Sequence, residues 1–124
     1  MGAAPEDIVQ TAEDAYNAKD MDRVLALFTP DAVFYKNGRL VGQGTDALRR
    51  WHEKFFGAVK DHRLRKTFQA STGGTIAVES ADTWLRPDTG EPMQGCGAEF
   101  WTMDGDRLSE LRLYYLIGPG RPHG

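Results

Sequence analysis

Cysteine is almost absent from this chain. A single one, Cys96, stands among 124 residues, so no internal disulfide can form and no thiolate cluster can hold a metal. It sits in "QGCGAEF" between two glycines, with no histidine near it in sequence to activate it, and is expected to be a small buried hydrophobe. Long apolar runs are missing as well. Nothing approaches the roughly 20 residues that cross a bilayer as a helix, and the opening MGAAPEDIV lacks the basic and apolar regions of a secretory leader, so a cytoplasmic location is expected. Nor is there an excess of positive charge. Lys and Arg number 15 against 18 Asp and Glu, a net charge of −3, which gives no electrostatic ground for binding nucleic acid or an anionic membrane. The densest basic stretch, Lys60 to Lys66, is interrupted by Asp61 and Leu64 and reads as the solvated face of a strand. Repeats, low-complexity tracts and linkers are absent too, apart from the tail "GPGRPHG". Residues 1–117 are therefore expected to form one domain and 118–124 a flexible tail.

What is present is enough for a core: 40% of the residues are hydrophobic, and a chain of this length buries one without disulfide or metal. Pro5, Glu6 and Asp7 open a helix with apolar positions Ile8, Val9, Ala12, Ala15 and Tyr16. "AKDMD" breaks that pattern, and Met21 to Phe28 resumes it as a second short helix. "TPDAVFYKNGRLVGQG" reads as turn, strand, turn and short strand, with Asn37-Gly38 the turn signal. Thr45 or Asp46 caps a third helix, Ala47 to Val59, whose stripe is Leu48, Trp51, Phe55, Phe56 and Val59 with His52 on its edge. From there the period is two, predicting strands near 62–71, 75–86, 92–103 and 107–117. Helices first and a meander last define an α+β domain, its helices covering one face of an antiparallel sheet.

Alternation then sorts side chains into faces. In "TIAVESADTWLR" the face with the larger hydrophobes is Ile76, Val78, Ser80, Asp82 and Trp84, which places a carboxylate in apolar surroundings. The last strand turns Ser109, Leu111, Leu113, Tyr115 and Ile117 inward, and His62 shares a face with Leu64 and Phe68. For 92–103 two sets compete. A three-residue loop at Asp88-Thr89-Gly90 pairs position 82 with 96 and turns Cys96, Ala98, Phe100 and Thr102 inward, the register expected here; a slip of one residue brings in Glu99 and Trp101 instead. Tyr35 and Asn37, two apart in "FYKNG", share a face and are read as a polar grip that looks onto Asp82.

The succession "AYNAKDMDRVLALFTPDAVFYKNGRLVGQGTDALRRW" followed by four strands resembles the nuclear transport factor two-like superfamily, which includes SnoaL-like polyketide cyclases, ketosteroid isomerase and limonene-epoxide hydrolase. The resemblance runs from Ile8 to Ile117. It implies a cone-shaped, curved antiparallel sheet wrapped around three N-terminal helices, an internal apolar pocket, and a homodimer. Limonene-epoxide hydrolase carries Y-x-N on its first strand, matched by Tyr35-Lys36-Asn37. Of its R-x-D pair only Asp82 is kept, with Ser80 at the arginine position, and its second aspartate falls at Leu113. The first-helix tyrosine of ketosteroid isomerase falls at Ala12, with Tyr16 one turn later. Its base falls near Lys36 or Asn37, where no carboxylate exists, and its second acid at Glu99 in the alternative register.

The expected function is therefore cofactor-independent acid–base chemistry on a small apolar molecule of polyketide, terpenoid or steroid type: isomerisation, cyclisation or hydrolysis. Asp82, Tyr35 and Asn37 are the catalytic candidates. Tyr16, Trp51, His52, Phe55, His62, Ser80, Trp84, Phe100, Leu111, Leu113 and Tyr115 are the ligand-contacting ones. A carboxylate suits the work because it can accept a proton and return it. No metal or organic cofactor is expected. The alternative is a non-catalytic module that binds an apolar ligand or mediates assembly.

Overall fold

The computed structural model describes residues 2–120. Proline at the first turn and two acids beside it start α1 (Pro5–Asn17), whose buried positions Ile8, Val9, Ala12, Ala15 and Tyr16 form one stripe. The Asp20 carboxylate accepts from the Arg23 N–H and caps α2 (Met21–Leu25), which ends three residues before Phe28 because the chain there enters β1 (Phe28–Lys36). Asn37 and Gly38 both take positive φ, +51° and +81°, and return the chain into β2 (Arg39–Gln43). α3 (Thr45–Ala58) is preceded by Gly44 at φ +88° and has no side-chain cap; the Thr45 hydroxyl donates to the Pro30 carbonyl instead. Four long strands follow: β3 (Lys60–Thr72), β4 (Thr75–Leu85), β5 (Pro92–Asp104) and β6 (Arg107–Pro119).

The six strands form one curved, unclosed sheet in the order β2-β1-β6-β5-β4-β3. All neighbours are antiparallel except β1 and β6, which run parallel, so the expected meander is closed off by a strand from the amino-terminal half. The helices fill the concave side, where Val9, Ala15, Val24, Phe34, Leu48, Val78 and Trp101 make the core. The last strand runs further than expected, with Gly118 and Pro119 paired to Gln94 and Met93; residues 121–124 of the expected tail lie outside the described residues.

The register of β5 differs from the expected one. Leu85 pairs with Pro92 and Asp82 with Gly95, because Arg86 to Glu91 form a six-residue loop closed by the Arg86 N–H to the Glu91 carbonyl and by the Arg86–Glu91 ion pair. One residue of shift turns over the whole strand. Gly95, Glu99 and Trp101 face inward, with Trp101 only 2% exposed, while Phe100 is 43% exposed and packs on Tyr114 across the convex face. Phe100 is thus no pocket residue, and Cys96, expected to be buried, is exposed. A bulge at Thr102/Met103 likewise puts Leu108 in the core where Ser109 was expected.

Candidate functional site

Between α3 and the concave sheet lies a cavity of about 590 Å³. Phe34, Trp51, Phe55, Leu64, Trp84, Leu111 and Leu113 supply its apolar walls. Trp51 and Phe55 are one helical turn apart on α3 and stack at 5.2 Å, and Phe34 meets Trp51 edge-on at 4.7 Å. Two polar arrays interrupt these walls.

The first is centred on Asp82, 5% exposed, on the inward face of β4. The Tyr115 hydroxyl donates to Oδ1, and His62 Nε2 lies 2.7 Å from Oδ2. Tyr115 reaches across β5 only because residue 95 is glycine: a Cβ there would overlap the phenol and stand 2.6 Å from Asp82 Oδ1. His62 is turned toward Asp82 by an irregularity of β3, where Asp61 takes φ +52° and the pairing skips between Lys60 and Arg63. His62 Nε2 donates to Asp82, and its Nδ1 is buried without a partner among the described residues. Burial, then the bond to Asp82 and the charge of Asp82, hold the Tyr115 phenol far above its ordinary 10, so it stays a donor.

Glu99, equally buried on the inward face of β5, is the centre of the second array. Lys66 Nζ donates to Glu99 Oε2 at 2.6 Å and to Ser80 Oγ at 3.4 Å; the Ser80 hydroxyl donates to the same carboxylate, and Trp101 Nε1 donates to Oε1 at 3.0 Å. The Lys66 ammonium also lies 5.1 Å from the Tyr16 ring centroid. Burial alone would raise the Glu99 carboxyl, but the charge and bond of Lys66, with the Ser80 and Trp101 bonds, hold it below its ordinary 4.5. The pair is therefore a fixed anion beside a fixed cation.

Behind the wall, His52 Nδ1 donates to the Leu48 carbonyl and Tyr16 donates to Nε2, both at 2.7 Å. Burial pushes the His52 imidazolium down from 6.5 to about 4; the Leu48 carbonyl opposes the shift and the Lys66 charge adds to it. A ring that is charged in the unfolded chain must lose its proton to fold. The His52 contribution is intact above pH 6.5 and is lost as pH falls toward 4, at most on the order of 3 kcal/mol at about 1.4 kcal/mol per unit. Urea midpoints should therefore fall between pH 7 and pH 5, less steeply in His52→Gln. An unchanged slope in that variant would assign the loss to another group.

Of the residues expected to meet a ligand, Tyr16, Trp51, Phe55, Ser80, Asp82, Trp84, Leu111, Leu113 and Tyr115 line the cavity. His52 and His62 do not: they are buried behind it and bond to Tyr16 and Asp82, residues that do. Tyr35 and Asn37 form no grip on Asp82. Ala32 and Phe34 occupy the core face of β1, so Tyr35 looks to the convex side, where the Arg112 guanidinium lies 5.6 Å from its ring. Asn37 bonds the backbone of Tyr115 at both its N–H and its carbonyl and so ties the turn to β6. Missed altogether was Lys66. It has the parity of His62, Leu64 and Phe68 on β3, a signal hidden in a stretch of charges that looked solvated.

A family model described as a SnoaL-like domain matches residues 9–111, and the chain belongs to that family. Its architecture is the nuclear transport factor two-like cone. Three known structures are similar in fold. The epoxide hydrolase/cyclase-like enzyme SalBIII, of pyran ring formation in the polyether salinomycin, is 19% identical with a TM-score of 0.81, covering 94% of this chain and 95% of its own. A candidate polyketide cyclase of Xanthomonas campestris pv. campestris is 20% identical with a TM-score of 0.79, covering 90% of each chain. A hypothetical protein from Catenulispora acidiphila DSM 44928, with a ketosteroid isomerase-like fold and bound to trimethylamine, is 14% identical with a TM-score of 0.77, covering 87% of this chain and 84% of its own. No curated protein matches in sequence. No helix among the described residues is long and apolar enough to cross a membrane.

Proposed function

We propose that this SnoaL-like domain is a cofactor-independent acid–base enzyme that isomerises, cyclises or hydrolyses a small, largely apolar molecule, with Asp82 as the group that takes and returns the proton. The observation that carries the reading is a buried carboxylate in the wall of an apolar cavity, oriented from two sides by Tyr115 and His62. Each Asp82 oxygen keeps a lone-pair direction beyond the one already used. Tyr115 and His62 act as positioning residues, and the aromatic walls exclude water from the transfer. The fixed charges of Lys66 and Glu99 supply a polar end against which an oxygen of the substrate can be oriented. Epoxide hydrolysis of the limonene type fits poorly, since Leu113 stands where its second acid would be. The test is a screen of polyketide-like, terpenoid and steroid-like ketones and epoxides, run in parallel with Asp82→Asn; activity retained in that variant would refute the assignment.

One observation favours the non-catalytic alternative: Asp82 and Glu99 already accept several bonds from within the protein. A pure binder would keep its ligand affinity and show no turnover in the parent either.

We further propose a homodimer packed through the convex face. The shifted register brings Ala81, Cys96 and Leu116 into one row there and Ala98 and Tyr114 into the next, with Phe100 beside them and Leu116 76% exposed. Trp101 lies on the opposite, inward face of the sheet. Sedimentation at micromolar concentration should give twice the chain mass, reduced to one by Leu116→Lys. A monomeric parent would overturn the proposal.

A further inference from the structure

We propose that the ligand of this cavity is an amphipathic acid whose carboxylate is held by Lys36 and Lys54 while its carbon skeleton lies against Phe34, Trp51 and Leu113. The inference rests on the reading of the cavity as a ligand site and specifies the ligand's charge. Four cations line the cavity: Lys36, Lys54, Lys66 and Arg86. Two of them are neutralised within the protein, Lys66 by Glu99 at 2.6 Å and Arg86 by Glu91 at 3.0 Å. Lys36 and Lys54 have no carboxylate within 4.0 Å among the described residues.

Lys36 is the more telling of the two. It follows Ala32 and Phe34 on the inward face of β1, is paired with Leu113 of the cavity wall, and is half-buried. Its ammonium lies 5.6 Å from the centroid of Tyr115, a ring that also lines the cavity. A lysine at a strand end can swing into water, yet this one is directed over the ring next to Asp82. An uncompensated cation beside apolar walls is costly, and a bound anion removes that cost. Lys54 adds a second cation from α3, exposed on the side facing solvent. Three acids of the lining weigh against an anion, and Glu99 is paired with Lys66. Asp82 accepts one bond on each oxygen, from His62 and Tyr115, and Asp88 is exposed in the loop between β4 and β5. No glycine-rich loop or helix N-terminus of the kind that cradles a phosphate is among the lining residues, which leaves the lysines as point charges for a carboxylate.

Calorimetry with 2-naphthoate and 2-naphthamide tests this, because the two share shape and differ in charge. The acid should bind about tenfold more tightly than the amide at low ionic strength, an advantage that shrinks in high salt. The Lys36→Met/Lys54→Met variant should lose the preference by weakening the acid alone, and Leu113→Trp, which fills the cavity, should abolish binding of both. Equal affinities in the parent, or a preference that survives in the double variant, would overturn the amphipathic acid while the cavity reading stands. Amide binding undiminished by Leu113→Trp, or no binding of either probe, would overturn the cavity reading and the inference with it.

Discussion

Asp82→Asn should lower turnover by roughly a hundredfold or more while ligand affinity stays within a few-fold of the parent. The substitution keeps the volume of the side chain and removes the proton acceptor. Its effect on folding is separable. Asparagine still accepts from Tyr115 through its oxygen, but its amide then faces His62 Nε2. To accept that N–H, His62 must move its own proton to Nδ1, which is buried without a partner. A buried unpaired N–H costs about 1–3 kcal/mol, so a modest loss of stability should accompany the loss of turnover. Assays well below the melting temperature, with calorimetric binding of 2-naphthamide as the check on an intact cavity, keep the two effects apart. Should Asp82→Asn bind normally and turn over at the parent rate, Asp82 would be a structural carboxylate and the acid–base assignment would fall.

The second large effect concerns stability. Lys66→Met should destabilise the fold by about 3–5 kcal/mol, because Glu99 then remains charged and buried with only Ser80 and Trp101 as donors. Lys66→Met/Glu99→Gln should recover most of that loss: the glutamine oxygen still accepts from Trp101, and no charge is stranded. The pH dependence reverses as well. In the parent, Glu99 lies below 4.5, so its contribution is present above that value and lost as pH falls further. In Lys66→Met burial is no longer opposed by the ammonium, the carboxyl rises, and acidification should then restore stability. Urea unfolding of the three proteins from pH 7 to pH 4 reads all of this. A Lys66→Met cost below about 1 kcal/mol would mean that the pair is hydrated and exerts no fixed charge on the cavity.

The two carboxylates of the cavity stand in different surroundings. Glu99 is locked to Lys66, whereas Asp82 accepts only from a phenol and an imidazole. The separation of the two carboxylates onto β4 and β5 is a product of the fold.

Local sequence was sufficient for the order of elements, for the apolar stripes of α1 and α3, and for the inward placement of Asp82, Leu111, Leu113 and Tyr115. Those follow from the periods 3.6 and 2, which depend only on the backbone and the side chains within one element. The pairing of Lys66 with its parity mates was legible in the same way, although its charge disguised it. The rest was decided between elements. Alternation says which residues share a face but not which face is buried, so Tyr35 could be read onto the wrong side of β1. Asn37 lies past the end of the strand, in a turn at φ +51°. The β5 register depended on how Arg86 to Glu91 close their loop, a matter of a few hydrogen bonds, and that single residue of shift exchanged Phe100 for Glu99 and Trp101. The bend at Asp61 that brings His62 to Asp82, and the glycine at 95 that lets Tyr115 cross to it, have meaning only once four strands lie side by side. Short-range geometry is written residue by residue in the chain, whereas the site is made by contacts across strands, and those exist only in the packed sheet.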